Sequence, residues 1–199
     1  MKNIFITGTD TNVGKTVVSA VICKKLNIPY WKPIQSGAIQ GDIDANFVSQ
    51  SAGVDAQTSI ILSQPLSPHI AAEIDGVKID INNLKSPFDG QHIAEGAGGI
   101  FVPINDDYMV IDLMEKLQYN AVIVARSGLG TINHTLLTIQ ALKHKNIPIL
   151  GVVMIGEENK QNKQSIEKYS GVKVIGQLPI IEDIENNIDT LTDKISFSG

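Results

Sequence analysis

Short apolar runs alternate along the chain with longer segments whose apolar residues recur at helical spacing. Residues 121–125 and 149–155 are continuous apolar runs, a pattern typical of parallel strands that are covered on both faces. The pattern predicts strands at residues 4–6, 30–33, 92–94, 121–125, 149–155 and 172–175. It predicts helices at residues 16–26, 42–51, 68–74, 79–84, 108–117, 133–145, 157–169 and 184–195, whereas residues 53–67 show no clear pattern.

This alternation of strands and helices predicts an α/β fold with an open, doubly wound, mostly parallel sheet and helices on both faces. In such a fold the ligand-binding loops lie at the carboxyl ends of the strands. A length of 199 residues, 43% of them apolar, is enough for one substantial core and predicts a single domain over residues 1–199.

Charge and cysteine content exclude several functions. The net charge is -5, and the fifteen lysines and one arginine form no basic run, so we expect no nucleic-acid partner. The single cysteine, Cys23, excludes an intrachain disulfide and is expected to be a small core residue. No apolar run is long enough to cross a bilayer and no signal peptide is evident, so we expect a cytoplasmic protein without membrane contact.

The segment 3–16, NIFITGTDTNVGKT, runs from an apolar strand through a glycine-containing loop into a helix. A phosphate loop normally reads G-x-x-x-x-G-K-[ST], and here Gly8 stands one position too early. The triplet Gly14, Lys15 and Thr16 nevertheless falls at the helix start, where free N–H groups and the helix dipole favour an anion. We therefore interpret the segment as a nucleotide phosphate site rather than an ordinary strand-to-helix turn.

Carboxylates that could complete a Mg²⁺ site follow other predicted strands. Glu95 ends an apolar strand and is followed by three glycines in four residues, although it could be a plain exposed acid in a loop. Asp44 and Asp42 are candidates for a second ligand, but an acid at a helix start is often only a cap.

Two further loops carry candidate chemistry. Lys32 lies at the exit of a strand that we expect beside the first, where a lysine can stabilise developing charge, although it could be a surface lysine. Residues 126–134 lead through two glycines into a helix, which suits a carboxylate because no lysine is adjacent. Thr131 or Asn133 could also simply cap that helix. The four histidines lack metal-ligand spacing, and no G-x-S-x-G motif is present, so we expect no histidine metal site and no covalent hydrolase chemistry.

Five ordered motifs together resemble the dethiobiotin synthetase family, which has a P-loop NTPase-like fold. They are residues 8–16 (GTDTNVGKT, including the early glycine), 32–37 (KPIQSG), 67–69 (SPH), 95–99 (EGAGG) and 130–134 (GTINH). The resemblance implies an ATP-dependent ligase of biotin biosynthesis. It would take up CO₂ or bicarbonate on 7,8-diaminopelargonic acid as a carbamate, phosphorylate the carbamate with ATP, and close the ring with loss of phosphate.

The resemblance also implies roles for individual residues. Mg²⁺ would be held by Thr16, Asp44 and Glu95, and Asp44 is preferred over Asp42 because residues 44–45 resemble the family segment more closely. The catalytic lysines would be Lys15 and Lys32. The nucleotide would be contacted by Asn12, Val13, Gly14, Lys15, Thr16, Val17, Glu95, Gly96, Ala97 and Gly98. The substrate would be bound by Thr11 and Ser36, and by Gly130, Thr131 and Asn133 of the partner subunit in a homodimer with active sites at the interface.

One departure from the family concerns the base of the nucleotide. Similar proteins often carry an asparagine that reads the adenine edge after the strand at 149–155, and here Ile155 and Gly156 stand in that region. The resemblance therefore leaves the base preference open. An alternative function is a nucleotide-dependent dimerisation switch resembling the partitioning ATPases, but those proteins usually place a second lysine in the phosphate loop, and residues 9–13 contain none.

Overall fold

The computed structural model describes residues 2–38 and 43–197, in which strands and helices alternate as predicted. The strands are β1 (Ile4–Gly8), β2 (Tyr30–Ser36), β3 (Ala56–Leu62), β4 (Ile93–Gly99), β5 (Asn120–Arg126), β6 (Ile149–Ile155) and β7 (Val174–Leu178). The helices are α1 (Lys15–Leu26), α2 (Ile43–Ala52), α3 (Pro68–Asp75), α4 (Val110–Leu117), α5 (Thr131–His144), α6 (Lys160–Ser170) and α7 (Ile184–Thr192).

The strands form one sheet in the order β3-β2-β4-β1-β5-β6-β7, and every paired strand is parallel to its neighbour. The α/β fold predicted from the sequence is therefore confirmed. The expectation that the strand of Lys32 lies beside the first strand is wrong, because β4 lies between β1 and β2. As a result the carboxyl end of β4 stands between the phosphate loop and Lys32.

Helices cover both faces of the sheet and give the molecule two apolar layers. One layer packs side chains of α1, α2 and α7 against the sheet, and the other packs side chains of α3, α4, α5 and α6. Cys23 is fully buried in the first layer, as predicted. In the part of the chain that the structure describes, no helix combines the length and apolar character needed to span a bilayer.

Two segments differ from the prediction made from sequence. Residues 79–84 are not helical. Their apolar side chains are buried, but the Asp80 carboxylate accepts hydrogen bonds from the Asn82 backbone N–H and the Asn83 side chain, which favours a turn over a helix. The glycines at 96–99 belong to strand β4 rather than to a loop, since Gly99 lies in register with Gly8 of β1.

Candidate active site

The loop between β1 and α1 has the backbone geometry of a phosphate cradle. Asn12 and Gly14 have φ angles of 56° and 94°, and such left-handed residues turn successive N–H groups toward one concave side. The Lys15 ammonium donates to the Asp10 carbonyl at 3.2 Å, and the Arg126 guanidinium donates to the Thr11 carbonyl at 3.1 Å. The loop is thus held in place from both its own helix and the end of β5.

The early glycine of this loop has a steric reason. A Cβ atom at Gly8 would lie 2.7 Å from the Asp10 carbonyl oxygen and 2.8 Å from the Val13 side chain. Real Cβ contacts are not this short, so only glycine lets the loop fold back over the end of β1.

Glu95 forms the centre of a buried hydrogen-bond network, with only 1% of its surface exposed. Its Oε1 accepts from the Lys32 ammonium at 2.7 Å and from the Thr16 hydroxyl at 3.1 Å. Its Oε2 accepts from the Ser19 hydroxyl at 2.7 Å and from the Tyr30 hydroxyl at 3.0 Å. Glu95 is therefore not the exposed loop acid of the alternative interpretation.

Lys32 bridges two carboxylates, since its ammonium also lies 2.6 Å from Oδ2 of Asp44. It is buried, so the alternative of a surface lysine is excluded. Burial alone would lower the pKa of Lys32, but the charges of Glu95 and Asp44 outweigh it and raise that pKa. Asp42, the other candidate metal ligand, lies outside the described residues.

The other groups of the network have perturbed pKa values as well. Burial would raise the pKa of Glu95, but the charge and hydrogen bond of Lys32, together with Lys15, lower it. Burial lowers the pKa of Lys15, although the charge of Glu95 opposes this effect. Burial, reinforced by Glu95, raises the pKa of Tyr30, so this phenol keeps its proton. Such a concentration of shifted groups at one sheet edge is typical of a functional site.

Lys15, Lys32, Asp44 and Glu95 line a cleft of about 780 Å³ at the carboxyl edge of the sheet. The predicted site residues that line it are Thr11, Asn12, Gly14, Lys15, Thr16, Val17, Lys32, Ser36, Asp44, Glu95, Ala97 and Gly98. Val13 and Gly96 do not line it. Val13 is buried beneath the loop, and Gly96 faces the ring of Phe5.

The predicted carboxylate site at the start of α5 does not line this cleft either. Gly130, Thr131 and Asn133 lie beyond Arg126 at the end of β5, and Thr131 is buried within α5. The N-cap residue is Gly130 and no side chain caps the helix by a hydrogen bond, so Thr131 and Asn133 lie inside the helix and are not its cap. His134, one residue further on, lines a second cavity of about 350 Å³ with Asp10 and the exposed Phe101.

The exit of β6 is closely packed at Gly156. A Cβ atom at Gly156, whose φ is 124°, would lie 2.4 Å from Oγ of Ser127. The Gln177 side chain instead donates to the Gly156 carbonyl at 3.0 Å, and Ile155 packs against Gly14 of the phosphate loop.

Sequence reasoning missed three residues of the site. Ser19 lies one helical turn after Thr16, and that spacing was a usable signal. Tyr30 could not be found, because its contact with Glu95 depends on the strand order. Gln35 lines the cleft with 7% of its surface exposed, and its Oε1, like Oγ of Ser36, is buried without a hydrogen-bond partner among the described residues.

A parallel sheet whose first strand leads through a phosphate cradle into a helix, beside a buried carboxylate, defines a P-loop-type nucleotide-binding protein. Solved structures agree on the fold. A ParA family ATPase from Chlorobium tepidum has a TM-score of 0.57 at 14% identity and covers 97% of this chain and 90% of its own. The cell division ATPase MinD from Pyrococcus furiosus has a TM-score of 0.57 at 15% identity, and the match covers 98% of this chain and 89% of the MinD chain.

Sequence comparisons identify the family within this class. Residues 2–187 match a family model described as an AAA domain. An ATP-dependent dethiobiotin synthetase from Paramagnetospirillum magneticum is 47% identical over 89% of this chain and 88% of its own length. One from Bradyrhizobium diazoefficiens is 41% identical over 98% of this chain and 95% of its own. The chain belongs to the ATP-dependent dethiobiotin synthetase family.

Proposed function

We propose that this chain is an enzyme that forms dethiobiotin from 7,8-diaminopelargonic acid, CO₂ and ATP. Relatives 41% and 47% identical are ATP-dependent dethiobiotin synthetases, and these alignments cover about nine tenths of the chain or more. The observation that carries the proposal is the buried Lys32 ammonium between Asp44 and Glu95, beside the phosphate loop. This arrangement provides charge neutralisation without a protein nucleophile, as phosphoryl transfer to a substrate oxygen requires.

The reaction proceeds in three steps, and in each of them the nucleophile belongs to the substrate and not to the protein. One amine attacks the carbon of CO₂, loses a proton and becomes a carbamate. A carbamate oxygen then attacks the γ-phosphorus, and ADP leaves. The second amine attacks the carbonyl carbon of the mixed anhydride, phosphate leaves, and loss of a second proton completes the cyclic urea. The protein contributes mainly orientation and charge stabilisation to these steps.

Thr16, Asp44 and Glu95 fit a magnesium ion. Mg²⁺ prefers oxygen ligands and usually takes one or two carboxylates. Asp44 Oδ2 and Glu95 Oε1 already converge on one cation, the Lys32 ammonium, and the Thr16 hydroxyl lies 3.1 Å from the same Glu95 oxygen. When bound, the ion neutralises charge on the nucleotide phosphates.

Lys15 and Lys32 are the residues that we propose act on the transferred phosphoryl group. Lys15 stands at the first position of α1, where the phosphate loop brings the nucleotide. Lys32 lies on β2, on the other side of Glu95, and its ammonium would neutralise the carbamate and the phosphoryl oxygens after it leaves Asp44 and Glu95. The remaining nucleotide contacts come from the predicted residues that line the cleft, which are Asn12, Gly14, Thr16, Val17, Ala97 and Gly98.

Thr11 and Ser36 bind the diamine and the carbamate in this proposal, and Gln35 joins them. The buried Oγ of Ser36 and Oε1 of Gln35 are acceptors without partners among the described residues. Amines and a carbamate N–H are donors, so these two oxygens would accept from the substrate once the side chains turn toward the cleft that both residues line.

A second copy of the chain binds the carboxylate tail of the substrate through Gly130, Thr131 and Asn133. These residues begin a 14-residue helix, whose free N–H groups suit a carboxylate, and they lie outside the cleft of their own subunit. Leu129 and Leu137, on either side of them, are exposed apolar side chains that a homodimer interface would cover.

The decisive experiment measures ADP and phosphate release from the purified protein with each component omitted in turn. We expect turnover only when diaminopelargonate, bicarbonate, Mg²⁺ and ATP are all present, with dethiobiotin as product by mass spectrometry. ATP hydrolysis at the same rate without the diamine would overturn the proposal and favour a nucleotide-dependent switch. The predicted cytoplasmic location stays a prediction.

A variant without the phosphate-loop lysine tests the mechanism. Lys15→Ala should lower kcat/KM by at least about 10³-fold, since it removes a charge from the phosphoryl-transfer site. Lys168→Ala, an exposed lysine in the last turn of α6, is the matched control and should be fully active. Full activity of Lys15→Ala would show that the lysine of the phosphate loop takes no part in the mechanism.

A further inference from the structure

The two oxygens of the Glu95 carboxylate have different partners. Among the described residues, Oε2 accepts hydrogen bonds from two hydroxyl groups and from no other donor. These are the hydroxyls of Ser19 on α1, at 2.7 Å, and of Tyr30 on β2, at 3.0 Å. Both donors are fully buried. Oε1 accepts from Thr16 and Lys32, which both line the cleft.

We infer that Ser19 and Tyr30 are positioning residues that fix the Glu95 carboxylate so that only Oε1 faces the metal and the nucleotide. Two donors from different elements, α1 and β2, oppose rotation of the carboxylate, because rotation would leave at least one buried hydroxyl without an acceptor. Glu95 is thereby held for binding through one oxygen before any ligand arrives. This inference rests on the proposed role of Glu95 as a metal ligand.

This arrangement also keeps Glu95 in place when Lys32 moves. In the structure Lys32 supplies the cation between Asp44 and Glu95, and the proposed reaction requires its ammonium near the carbamate instead. Neither Ser19 nor Tyr30 is bonded to Lys32 among the described contacts, so both can hold Oε2 throughout. The carboxylate orientation does not depend on where the lysine points.

The test is metal binding rather than activity. We would titrate Mn²⁺ by electron paramagnetic resonance in the presence of a non-hydrolysable ATP analogue, without diamine. Loss of an outer-shell partner typically weakens metal affinity about 10- to 100-fold. Tyr30→Phe and Ser19→Ala should each raise the dissociation constant of Mn²⁺ by about this factor, and circular dichroism should show that both variants are folded.

Tyr119→Phe is the matched control, since it removes a tyrosine hydroxyl that is hydrogen-bonded to His92, away from the cleft. It should bind Mn²⁺ as the wild type does. The inference is overturned if Tyr30→Phe and Ser19→Ala keep wild-type affinity, or if Tyr119→Phe loses as much. Absence of Mn²⁺ binding by the wild-type protein would overturn the metal role of Glu95 as well, so the two failures can be told apart.

Steady-state kinetics provide a second measurement. Positioning of a metal ligand predicts a raised KM for Mg²⁺ in Tyr30→Phe, with kcat at saturating Mg²⁺ within a few-fold of the wild type. A fall in kcat at unchanged KM for Mg²⁺ would contradict the inference and assign Tyr30 to the chemical step.

Discussion

At the scale of single residues, Gly8 decides the shape of the phosphate loop. A hydrogen atom on its Cα fits beside the Asp10 carbonyl and the Val13 side chain, where a methyl group does not. A methyl group there must push the loop away from β1 and disturb the N–H groups that follow. Nucleotide affinity should therefore be more sensitive to this position than overall folding.

We predict that Gly8→Ala weakens binding of an ATP analogue by about tenfold or more, equivalent to about 1.4 kcal/mol. Isothermal titration calorimetry measures this directly. Gly128→Ala is the control, because a Cβ atom at Gly128 meets nothing within 4 Å and its φ is not positive. Equal affinity in both variants would mean that the loop does not need the early glycine.

His92 makes folding stability depend on pH at a position far from the active site. It is buried, its Nδ1 lies 2.9 Å from the Gly90 carbonyl, and its Nε2 lies 2.7 Å from the Tyr119 hydroxyl. Burial lowers the pKa of His92, although the hydrogen bond to Gly90 opposes this. The unfolded chain therefore binds the proton of His92 more readily than the folded chain. The contribution of His92 to folding stability is present above pH 6.5 and is lost as the pH falls through the lowered pKa.

We predict that the free energy of unfolding falls less steeply from pH 7.5 to pH 5 in His92→Gln than in the wild type. Urea denaturation at several pH values gives this slope. His144→Gln, at an exposed position of α5, should keep the wild-type slope. A wild-type slope in His92→Gln would assign the acid sensitivity to other groups.

At the scale of elements, the exit of β6 shapes the region where the resemblance to the family leads us to expect the base of the nucleotide. Gly156 carries no side chain that could hydrogen-bond a base, and Ser127 leaves no space for one. Sites built to hydrogen-bond a substrate reject the wrong one by about 10⁴-fold or more, whereas sites without such contacts discriminate far less.

We predict that kcat/KM for ATP exceeds that for CTP or GTP by less than about tenfold, because no Asn side chain reads the base edge. The measurement compares the three nucleotides at matched concentrations with saturating diamine and Mg²⁺. A preference for ATP of 10³-fold would show that other groups, such as the backbone near Gln177, read the adenine.

Helices and strands were predicted well where the pattern of apolar residues was strong. They were predicted poorly where pairing between strands decided the structure. β1, β5 and β6 contain apolar runs and were found, whereas β3 was missed. β3 is an edge strand with alternating exposure, and the polar residues at 57–59 hide its pattern. β4 was predicted too short because glycines normally mark loops, and here they pair with β1.

The same distinction applies to the site. Lys15 and Thr16 follow from a local motif, and Glu95 and Lys32 from their places after predicted strands. The contact of Tyr30 with Glu95 depends on β4 lying beside β2, which no local pattern specifies. The roles assigned to these residues, and the single-domain organisation, stay predictions.

At the scale of the whole molecule, the proposed homodimer with shared sites predicts complementation between two inactive variants. Lys15→Ala disables the phosphate site, and Asn133→Asp places a negative charge where the substrate carboxylate would bind. Each variant alone should be inactive. After mixing and subunit exchange, random pairing makes about half of the dimers heterodimers. One of the two sites in each heterodimer is intact, so activity should recover to roughly a quarter of the wild type.

Light scattering should show that both variants remain dimers. Mixing Lys15→Ala with Lys32→Ala, whose lesions lie in the same cleft, is the control and should restore nothing, because no heterodimer site would contain both lysines. Failure of the first mixture to recover, with subunit exchange demonstrated, would mean that each cleft works alone.

The position of β4 between β1 and β2 has a consequence during synthesis of the chain. The phosphate loop and Lys32 leave the ribosome early, but Glu95 follows 79 residues after Thr16 and closes the centre of the sheet. Until β4 is inserted, the first two strands have no hydrogen-bonded path to each other. If Glu95 holds the proposed metal, a nascent chain that carries the whole phosphate loop would still be unable to use ATP until β4 lies between β1 and β2.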